Sequence, residues 1–236
     1  LEACLDAGVD VVLVHGAGSF GHLKAKAYRL AEGKVNDGNL PSEMTQEEAV
    51  ADVRSDMLEL NQHVMDALTK HDISAVSLSP HRWAKNTGKE FLGDLGVFDG
   101  APTGIVVVTH GDVVECDPPM DFGILSGDDL VYRLATEVSG VKRLVFAMGG
   151  VEGVLSEPPT NENDEAKLIT VLTRDHPFEG EHMTDMDVTG GIGLKVTRGF
   201  QVAEHGVSVH MVSGELDQRV KDACLGSTFR GTTLQP

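Results

Sequence analysis

Short runs of apolar residues alternate along this chain with stretches of helical periodicity. The first run, residues 11–14, consists of four apolar and mostly β-branched residues, which predicts a buried strand. Similar runs predict strands at residues 73–78, 104–109, 144–148 and 207–212. Strands that alternate with helices form largely parallel sheets with helices on both faces. We therefore predict an α/β fold, a three-layer αβα sandwich around a largely parallel central sheet.

The longest predicted helix begins at a capping box. Thr45 and Glu48 have the spacing of a capping box, in which the side chain of each residue accepts a hydrogen bond from the backbone N–H of the other. From there to Lys70 the apolar residues recur every three or four positions, as on one face of a helix. We interpret this face as core. An alternative stays open, in which the same apolar face lines a substrate pocket.

A glycine-rich segment follows the first strand directly. Gly16, Gly18 and Gly21 stand between His15 and His22, and a helix-like run from residue 23 to 30 comes next. Glycine lets the backbone approach a phosphate closely, and a helix start offers free N–H groups to an anion. The segment therefore predicts an anion site with proton-bearing side chains beside it. A tight structural turn with incidental histidines is the simpler alternative.

The glycine spacing also fits a dinucleotide-binding fingerprint. That fingerprint requires a second strand within a unit of about 30 residues, with an acidic residue at its end. Residues 32–48 are polar and rich in turn formers instead. The pattern therefore disfavours nicotinamide binding.

A second glycine-rich segment precedes a later predicted helix. Thr189, Gly190 and Gly191 come shortly before Lys195, and the helix follows. Glycine N–H groups together with a lysine suit phosphoryl transfer, which needs positioning and positive charge around the transferred group. The chain contains neither a Walker motif nor the protein-kinase motifs.

Two further polar motifs follow predicted strands. His110, Gly111 and Asp112 end the strand at 104–109, and Asp128 and Asp129 open a helix after Ser126. Chemistry in open α/β sheets gathers at the carboxyl ends of strands. A cap at this helix start accounts for only one of the two aspartates.

Composition narrows the classes of partner. The chain has 236 residues and a formal net charge of −18, from 37 acidic and 19 basic residues. Such a charge repels nucleic acid and anionic membranes, and an anionic substrate would need a locally basic pocket. No apolar run reaches the length of about 18 residues that spans a bilayer. Three scattered cysteines indicate a reducing compartment, in agreement with a cytoplasmic location.

Taken together, four motifs resemble the amino acid kinase family and, within it, the isopentenyl phosphate kinases. They are the segment from His15 to His22, the His110–Asp112 triplet, the Ser126–Asp129 quartet, and residues 187–195. The resemblance implies ATP-dependent phosphorylation of isopentenyl phosphate, with Mg²⁺ on the nucleotide and a homodimeric assembly. It also implies a single domain over residues 1–236, with a substrate part at about 1–140 and a nucleotide part at about 141–236.

The resemblance assigns roles position by position. It implies three catalytic residues: His22 at the substrate phosphate, Lys195 at the γ-phosphate of ATP, and Asp128, which orients lysine. The implied substrate-binding residues are Gly16, Ala17, Gly18, Gly21, His22, Gly111, Asp112 and Gly127. The implied nucleotide-binding residues are Met148, Gly149, Gly153, Thr189, Gly190, Gly191, Lys195 and Gly214. The resemblance also implies that Val53, Met57, Leu60 and Val64 lie near the prenyl tail, whereas we interpret His15 and His110 as structural.

Two segments depart from the family pattern. The family opens with a strand and a Lys-x-Gly-Gly-Ser phosphate loop, which nothing before Val11 supplies, and Leu1 is not a methionine. We therefore expect a chain truncated at its N-terminus and nearly inactive as given. Where relatives carry Thr-Asp-Val-x-Gly, this chain reads Met148-Gly149-Gly150-Val151-Glu152-Gly153. That change predicts altered nucleotide affinity or choice.

Three other functions stay open at this point. One is a sister kinase acting on a phosphonate such as fosfomycin or on another phosphate monoester. Another is a non-catalytic remnant that binds a nucleotide. The third is a metal hydrolase using His15, His22, His110 and Asp112, although these residues lack the spacing typical of a zinc site.

Overall fold

The computed structural model describes residues 1–36, 38–156, 167–175 and 191–236. Within them, strands and helices alternate as predicted, and five of the eight strand pairs are parallel. The predicted α/β class with parallel-rich sheets is therefore confirmed. None of the helices described is both long enough and apolar enough to cross a membrane.

The first half of the chain carries most of the helices that surround the candidate site. In order, its elements are α1 (Glu2–Asp6), β1 (Val12–His15), α2 (Gly18–Ala27), α3 (Gln46–Lys70), β2 (Ala75–Ser77), β3 (Ala84–Lys85), β4 (Leu92–Gly93), α4 (Gly96–Asp99), β5 (Val106–His110), β6 (Asp112–Glu115), β7 (Phe122–Leu125) and α5 (Gly127–Glu137). Two short 3₁₀ turns, Leu30–Glu32 and Pro80–Arg82, complete it.

The second half contains β8 (Arg143–Met148), β9 (Val171–Thr173), α6 (Gly191–Glu204), β10 (Ser208–Ser213), α7 (Asp217–Leu225) and β11 (Thr232–Gln235). The pattern did not predict β11, because its residues Thr232–Gln235 are mostly polar. Strand β11 pairs antiparallel with β10 on one side and parallel with β9 on the other. Tertiary pairing, rather than local sequence, therefore determines this strand.

The strands lie in three sheets, whereas one central sheet was expected. The first has the order β1-β5-β2 and is wholly parallel, and the second has the order β8-β10-β11-β9. The third, β4-β3-β6-β7, is an excursion that contains the β6–β7 hairpin. Among the described strands, β1 pairs only with β5 and β8 pairs only with β10, so each has one open edge. The expectation of an absent opening strand stays a prediction.

Helix α3 forms as the sequence predicts. The Thr45 side chain accepts from the Glu48 N–H at 3.1 Å, and the Glu48 carboxylate accepts from the Thr45 N–H at 2.7 Å. Its apolar face is buried, with Val53 4% and Met57 1% exposed. These side chains pack in one cluster with Ala25, Tyr28 and Leu30, which follow β1. The core interpretation of this face is confirmed, and the cluster fixes α3 against α2.

Helix α2 begins earlier than predicted, at Gly18 rather than near residue 23. Gly21 therefore lies inside the helix, whereas Gly18, at the first position, has a left-handed φ of +52°. A Cβ at Gly21 would lie 3.3 Å from Val53 Cγ1 and 3.7 Å from Met57 Sδ. The missing side chain of Gly21 thus allows α2 and α3 to pack closely. Periodicity could not show this, because glycine normally indicates a break in a helix.

A cleft of about 930 Å³ separates the first two sheets. It is lined by backbone and side chains of β1 on one side and of β8 on the other, as far as Ala147. The starts of α2 and α5 also border it, through Gly16 and Gly127. The fold therefore places the carboxyl end of β1 and two helix starts around one opening.

Candidate active site

The cleft collects most residues of the predicted substrate site. Members of all three early motifs and of the second glycine segment line it, namely Gly16, Ala17, Gly21, His22, Gly111, Asp112, Gly127, Asp128 and Lys195. These residues are up to 179 positions apart in the sequence, as the numbers 16 and 195 show. Gly18 follows at the first position of α2. Strand order therefore brings the separate motifs together.

Lys195 and Asp128 form an ion pair across the two helices that face the cleft. Lys195 Nζ lies 3.1 Å from Asp128 Oδ2, with side-chain exposures of 35% and 9%. Gly191 already lies in helix α6, so Lys195 projects from this helix and not directly from a loop. The buried carboxylate fixes one direction of a partly exposed ammonium. The remaining donors of the ammonium can bind an anion in the cleft.

The neighbouring aspartate makes the second link between α5 and α6. Arg198 donates to Asp129 Oδ1 from Nε at 2.7 Å and from Nη2 at 2.6 Å. Asp129 also accepts from the Ser126 hydroxyl at 2.9 Å. The cap of α5 is Ser126, whose hydroxyl oxygen accepts from the Asp129 N–H at 3.0 Å. Neither aspartate side chain is the cap, so both Asp128 and Asp129 are available to bind α6.

The two histidines at the strand ends form a stacked pair. His15 ends β1 and His110 ends β5, and the two residues are direct partners in the parallel ladder. Their ring centroids are 5.1 Å apart with an interplanar angle of 29°. His15 Nε2 lies 3.3 Å from Asn61 Oδ1, and His110 Nε2 lies 3.4 Å from Ser79 Oγ. The pair therefore joins the carboxyl ends of β1 and β5, directly before Gly16 and Gly111.

Burial keeps His110 neutral. Its side chain is fully enclosed, and desolvation lowers its pKa from the ordinary value of 6.5, with the nearby His15 and His81 acting in the same direction. The Gly111 carbonyl and Asp112 act in the opposite direction but do not outweigh burial. An unfolded chain therefore binds this proton at a higher pH than the folded chain does.

We expect the free energy of unfolding to fall as the pH decreases below about 6.5, because protonation then favours the unfolded chain. His110 contributes at most about 1.4 kcal/mol per pH unit to this slope. In His110→Asn the slope between pH 6.5 and 5 should be shallower by that contribution, since asparagine does not titrate. Urea denaturation at several pH values measures it, with pH 8 to 9 as the range where the slopes should agree. Identical slopes between pH 6.5 and 5 would contradict the assignment.

Asp112 is a buried carboxylate with three donors. It is 3% exposed and accepts from the His81 N–H at 3.1 Å, from His81 Nδ1 at 2.7 Å and from the Val113 N–H at 2.8 Å. The resemblance implies that Asp112 binds the substrate, and Asp112 lies in the lining of the cleft next to Gly111. Its oxygens also fix the 3₁₀ turn that contains His81 to the start of β6. Its role at the substrate stays a prediction.

The residues predicted to bind the nucleotide are more widely spread than those predicted to bind the substrate. The Gly214 N–H donates to the Met148 carbonyl at 2.7 Å, and a Cβ at Gly214 would lie 3.2 Å from Ala147. Gly149 directly follows β8. Gly153 packs closely against β11, because a Cβ at this position would lie only 2.7 Å from Thr232 Oγ1. Met148, Gly149, Gly153 and Gly214 thus join the turn after β8 to the neighbouring strands. Thr189 and Gly190 lie outside the described residues.

Ion pairs hold the turn at residues 148–153, which departs from the family pattern. Glu152 accepts a hydrogen bond from Arg230 at 2.6 Å, and it forms an ion pair with Arg219 Nη1 at 2.7 Å. These two arginines, with the Arg230 hydrogen bond as the larger cause, lower the pKa of Glu152 to about 2. In addition, the Gly150 N–H donates to Glu215 Oε1 at 2.9 Å. Glu152 therefore links the turn to α7 and to the segment before β11, a role that its position in the sequence did not indicate.

Charges around the cleft do not make it a basic pocket. The described lining contains the cations Lys142, Arg143 and Lys195 and the histidines His15 and His22, together with the carboxylates Asp10, Asp99, Asp112 and Asp128. The expected locally basic pocket is therefore absent from this part of the chain. Anion binding in this part of the cleft therefore depends on individual donors, namely Lys195, His22 and backbone N–H groups, rather than on a basic surface.

One wall of the cleft is apolar. Val53 and Met57 of α3 line it together with Ile124 and Val113. Leu60 packs in the same core cluster, whereas Val64 packs against Leu68 in a different one. Of the four residues expected along an apolar tail, Val53 and Met57 therefore reach the cleft.

The described residues contain no group of three or more histidine, cysteine, aspartate or glutamate side chains able to hold a metal ion. The hydrolase alternative required such a group from His15, His22, His110 and Asp112. Instead His15 and His110 stack on each other, and Asp112 is occupied by His81. That geometry argues against the hydrolase.

Comparison with known proteins agrees with this arrangement. The family model described as "Amino acid kinase family" matches residues 1–213. The isopentenyl phosphate kinase of Methanothermobacter thermautotrophicus is 29% identical over 228 residues, which are 95% of this chain and 84% of the relative. That of Methanocaldococcus jannaschii is 30% identical over 189 residues, 80% of this chain and 68% of the relative. A solved isopentenyl phosphate kinase structure superposes with a TM-score of 0.79 at 26% identity, covering 99% of this chain and 88% of that one.

Proposed function

Since this chain belongs to the amino acid kinase family, we propose that it transfers the γ-phosphoryl group of ATP to isopentenyl phosphate, giving isopentenyl diphosphate and ADP. The single observation that best supports this function is the cleft, in which the His22 and Lys195 side chains border the same opening as an apolar wall. A phosphate monoester with a short hydrocarbon chain matches both surfaces. The similarity to isopentenyl phosphate kinases over most of the chain supports isopentenyl phosphate as the acceptor.

The reaction requires little covalent participation by the protein. An oxygen of the substrate's phosphate forms a bond to the γ-phosphorus of ATP while the bond to the β–γ bridging oxygen breaks, and ADP leaves with that electron pair. Negative charge spreads over the transferred group during this step. The enzyme must therefore align two anions and stabilise the transferring oxygens.

We assign these tasks to residues of the cleft. The start of α2, at Gly16, Ala17 and Gly18, provides backbone N–H groups for the substrate's phosphate, because the first N–H groups of a helix have no helical partner. His22 donates to the phosphate from the second turn of the same helix. Lys195 stabilises the transferring group with its positive charge.

Asp128 acts on Lys195. Its carboxylate is buried and lies 3.1 Å from the ammonium, which directs the lysine side chain toward the cleft. Arg198 and Asp129 hold α5 and α6 in register beside this pair. Asp128 is therefore a residue that positions Lys195, and Lys195 is the group that contacts the phosphates.

Mg²⁺ is expected to accompany ATP. The described residues offer no carboxylate cluster for it, and the Asp128 carboxylate is engaged by Lys195. The part of the chain that the structure describes thus does not fit a resident magnesium site, and the phosphate oxygens of ATP are the ligands that such an ion normally uses. No step of the proposed mechanism is assigned to the ion.

ADP release with ATP and either isopentenyl phosphate or methyl phosphate tests the proposal, using the protein at its full natural length. The isopentenyl group adds four carbons, and each buried methylene contributes about 0.8 kcal/mol. If half of this chain is buried at the apolar wall of the cleft, we expect kcat/KM to be about 15-fold higher for isopentenyl phosphate. The difference should appear in both ADP release and formation of the diphosphate.

Two further substrates make the result specific. Fosfomycin should be turned over poorly, because it is small and polar and leaves the apolar wall exposed. A higher kcat/KM for fosfomycin than for isopentenyl phosphate would identify the sister kinase instead. Nucleotide binding without turnover of any acceptor would identify a non-catalytic protein.

The remaining expectations from the resemblance accompany this proposal. They are the homodimeric state, the cytoplasmic location, and a substrate part at residues 1–140 with a nucleotide part at 141–236. The β1-β5-β2 sheet lies in the former and the β8-β10-β11-β9 sheet in the latter. This arrangement supports a reaction that takes place across the cleft.

A further inference from the structure

The ring of each strand-end histidine, His15 and His110, is hydrogen-bonded to the carbonyl of the glycine that follows it. His15 Nδ1 lies 3.0 Å from the Gly16 carbonyl oxygen, and His110 Nδ1 lies 3.0 Å from the Gly111 carbonyl oxygen. A carbonyl oxygen can only accept, so Nδ1 is the protonated nitrogen in both rings. The two His-Gly pairs thus use the same contact at neighbouring strand ends.

The contact of His15 determines the direction of a peptide group at the cleft. The Gly16 carbonyl belongs to the same trans peptide as the Ala17 N–H, and in such a peptide the two groups point in opposite directions. Holding the carbonyl against the His15 ring therefore turns the Ala17 N–H away from that ring. Ala17 is the N-cap residue of α2, so its N–H lies with the unpaired N–H groups of the helix start.

The His15 ring is itself held on two further sides. It stacks on His110, which is fully buried, with ring centroids 5.1 Å apart. Asn61 Oδ1 lies 3.3 Å from its Nε2; with the ring proton on Nδ1 both atoms are acceptors, so this is a packing contact and not a hydrogen bond. The Asn61 amide nitrogen donates to the Ser77 hydroxyl at 2.8 Å, which keeps the Asn61 side chain beside the ring. Asn61 is only 6% exposed. A ring fixed in this way can hold a flexible glycine carbonyl in one orientation.

We propose that His15 is a positioning residue for the acceptor's phosphate: its Nδ1–H fixes the Gly16–Ala17 peptide, which presents the Ala17 N–H to the phosphate. This inference rests on the proposed function, because the anion is the phosphate of the proposed substrate. His15 exchanges no proton with the substrate. Glycine at position 16 makes the contact necessary, since it leaves the peptide free to rotate when no side chain constrains it.

This role can be tested, in the protein at its full natural length, by substitutions that keep either the N–H donor or the aromatic ring of His15 but not both. His15→Asn places an amide N–H near the position of Nδ1, whereas His15→Phe keeps an aromatic ring without a donor. We expect His15→Phe to bind isopentenyl phosphate about tenfold more weakly and to raise its KM by the same factor. His15→Asn should stay within about threefold of the wild type, and the KM for ATP should stay unchanged in both. Calorimetry without ATP and steady-state kinetics provide these values.

The variants also distinguish positioning from simple stability. Equal affinity of His15→Phe and wild type would overturn the inference, and so would an equal loss in His15→Asn and His15→Phe. If His15→Phe fails to fold, His15→Gln takes its place, because glutamine puts its amide near the Nε2 position and leaves Gly16 without the donor. Melting curves of each variant identify that case.

Inorganic phosphate as a second probe keeps the two proposals apart. A wild type that binds inorganic phosphate but not isopentenyl phosphate contradicts the proposed function, and the same variants then decide the role of His15 with inorganic phosphate. Binding of neither anion contradicts both proposals. Binding of isopentenyl phosphate with no effect of His15→Phe contradicts only the positioning role.

Discussion

Replacing Lys195 with methionine should lower kcat for isopentenyl phosphate by a factor of about 100 to 1000. Removal of one preorganised donor from the transition state commonly has an effect of this size, and here a full positive charge is removed as well. The KM for isopentenyl phosphate should change little, since Lys195 acts on the group transferred from ATP. Steady-state ADP release at saturating ATP measures both constants.

The ion pair with Asp128 complicates this variant in a way that can be controlled. Lys195→Met leaves a carboxylate of 9% exposure without its cation, which destabilises the fold. The double variant Lys195→Met with Asp128→Asn removes the carboxylate charge that Lys195 neutralises, and it should recover melting temperature but not activity. Lys70→Met changes an exposed lysine at the end of α3 and should keep wild-type kinetics. Activity that recovers with the double variant would show that Lys195 acts only through stability.

Replacing His22 with alanine should lower kcat/KM for isopentenyl phosphate by a factor of about 100 or more. In the proposed mechanism His22 donates to the phosphate while charge moves from ATP to the acceptor, and loss of such a donor weakens the transition state more than the bound substrate. The loss should therefore appear mainly in kcat. ADP release with ATP, isopentenyl phosphate and Mg²⁺ is the appropriate assay.

Two comparisons make the His22 result interpretable. His71→Ala removes an exposed histidine at the end of α3 and controls for general effects of histidine loss. His22→Gln retains a donor on a side chain of similar length and should recover part of kcat. Wild-type kcat/KM in His22→Ala would remove His22 from the mechanism, while the cleft and Lys195 would continue to support phosphoryl transfer.

The sequence predicted the elements that depend on local physics. Helix α3 follows from a capping box and a regular apolar face, and both the caps and the buried face are present in the structure. Strands β1, β5 and β8 follow from short runs of apolar residues. These signals are reliable because hydrogen bonding at a helix start and burial of one face depend on residues that are near one another in sequence.

The positions of helix starts were harder to predict. Both glycine segments were interpreted as loops, yet α2 begins at Gly18, and Gly191 already belongs to α6. Gly21 occurs inside α2 because α3 packs against it, with Val53 Cγ1 only 3.3 Å from the place of a Cβ. Glycine is a poor helix former by itself, so only the neighbouring helix explains its presence there.

For the candidate site, the sequence by itself determined which chemical groups are present and roughly where each strand delivers them. His15, His22, Asp128 and Lys195 were all identified from motifs beside predicted strands and helices. Only the tertiary structure decided their partners: Asp128 with Lys195, Asp129 with Arg198, and His15 with His110. The physical reason is that these contacts join elements far apart in the chain, so they depend on strand order and helix packing, which no local pattern of residues encodes.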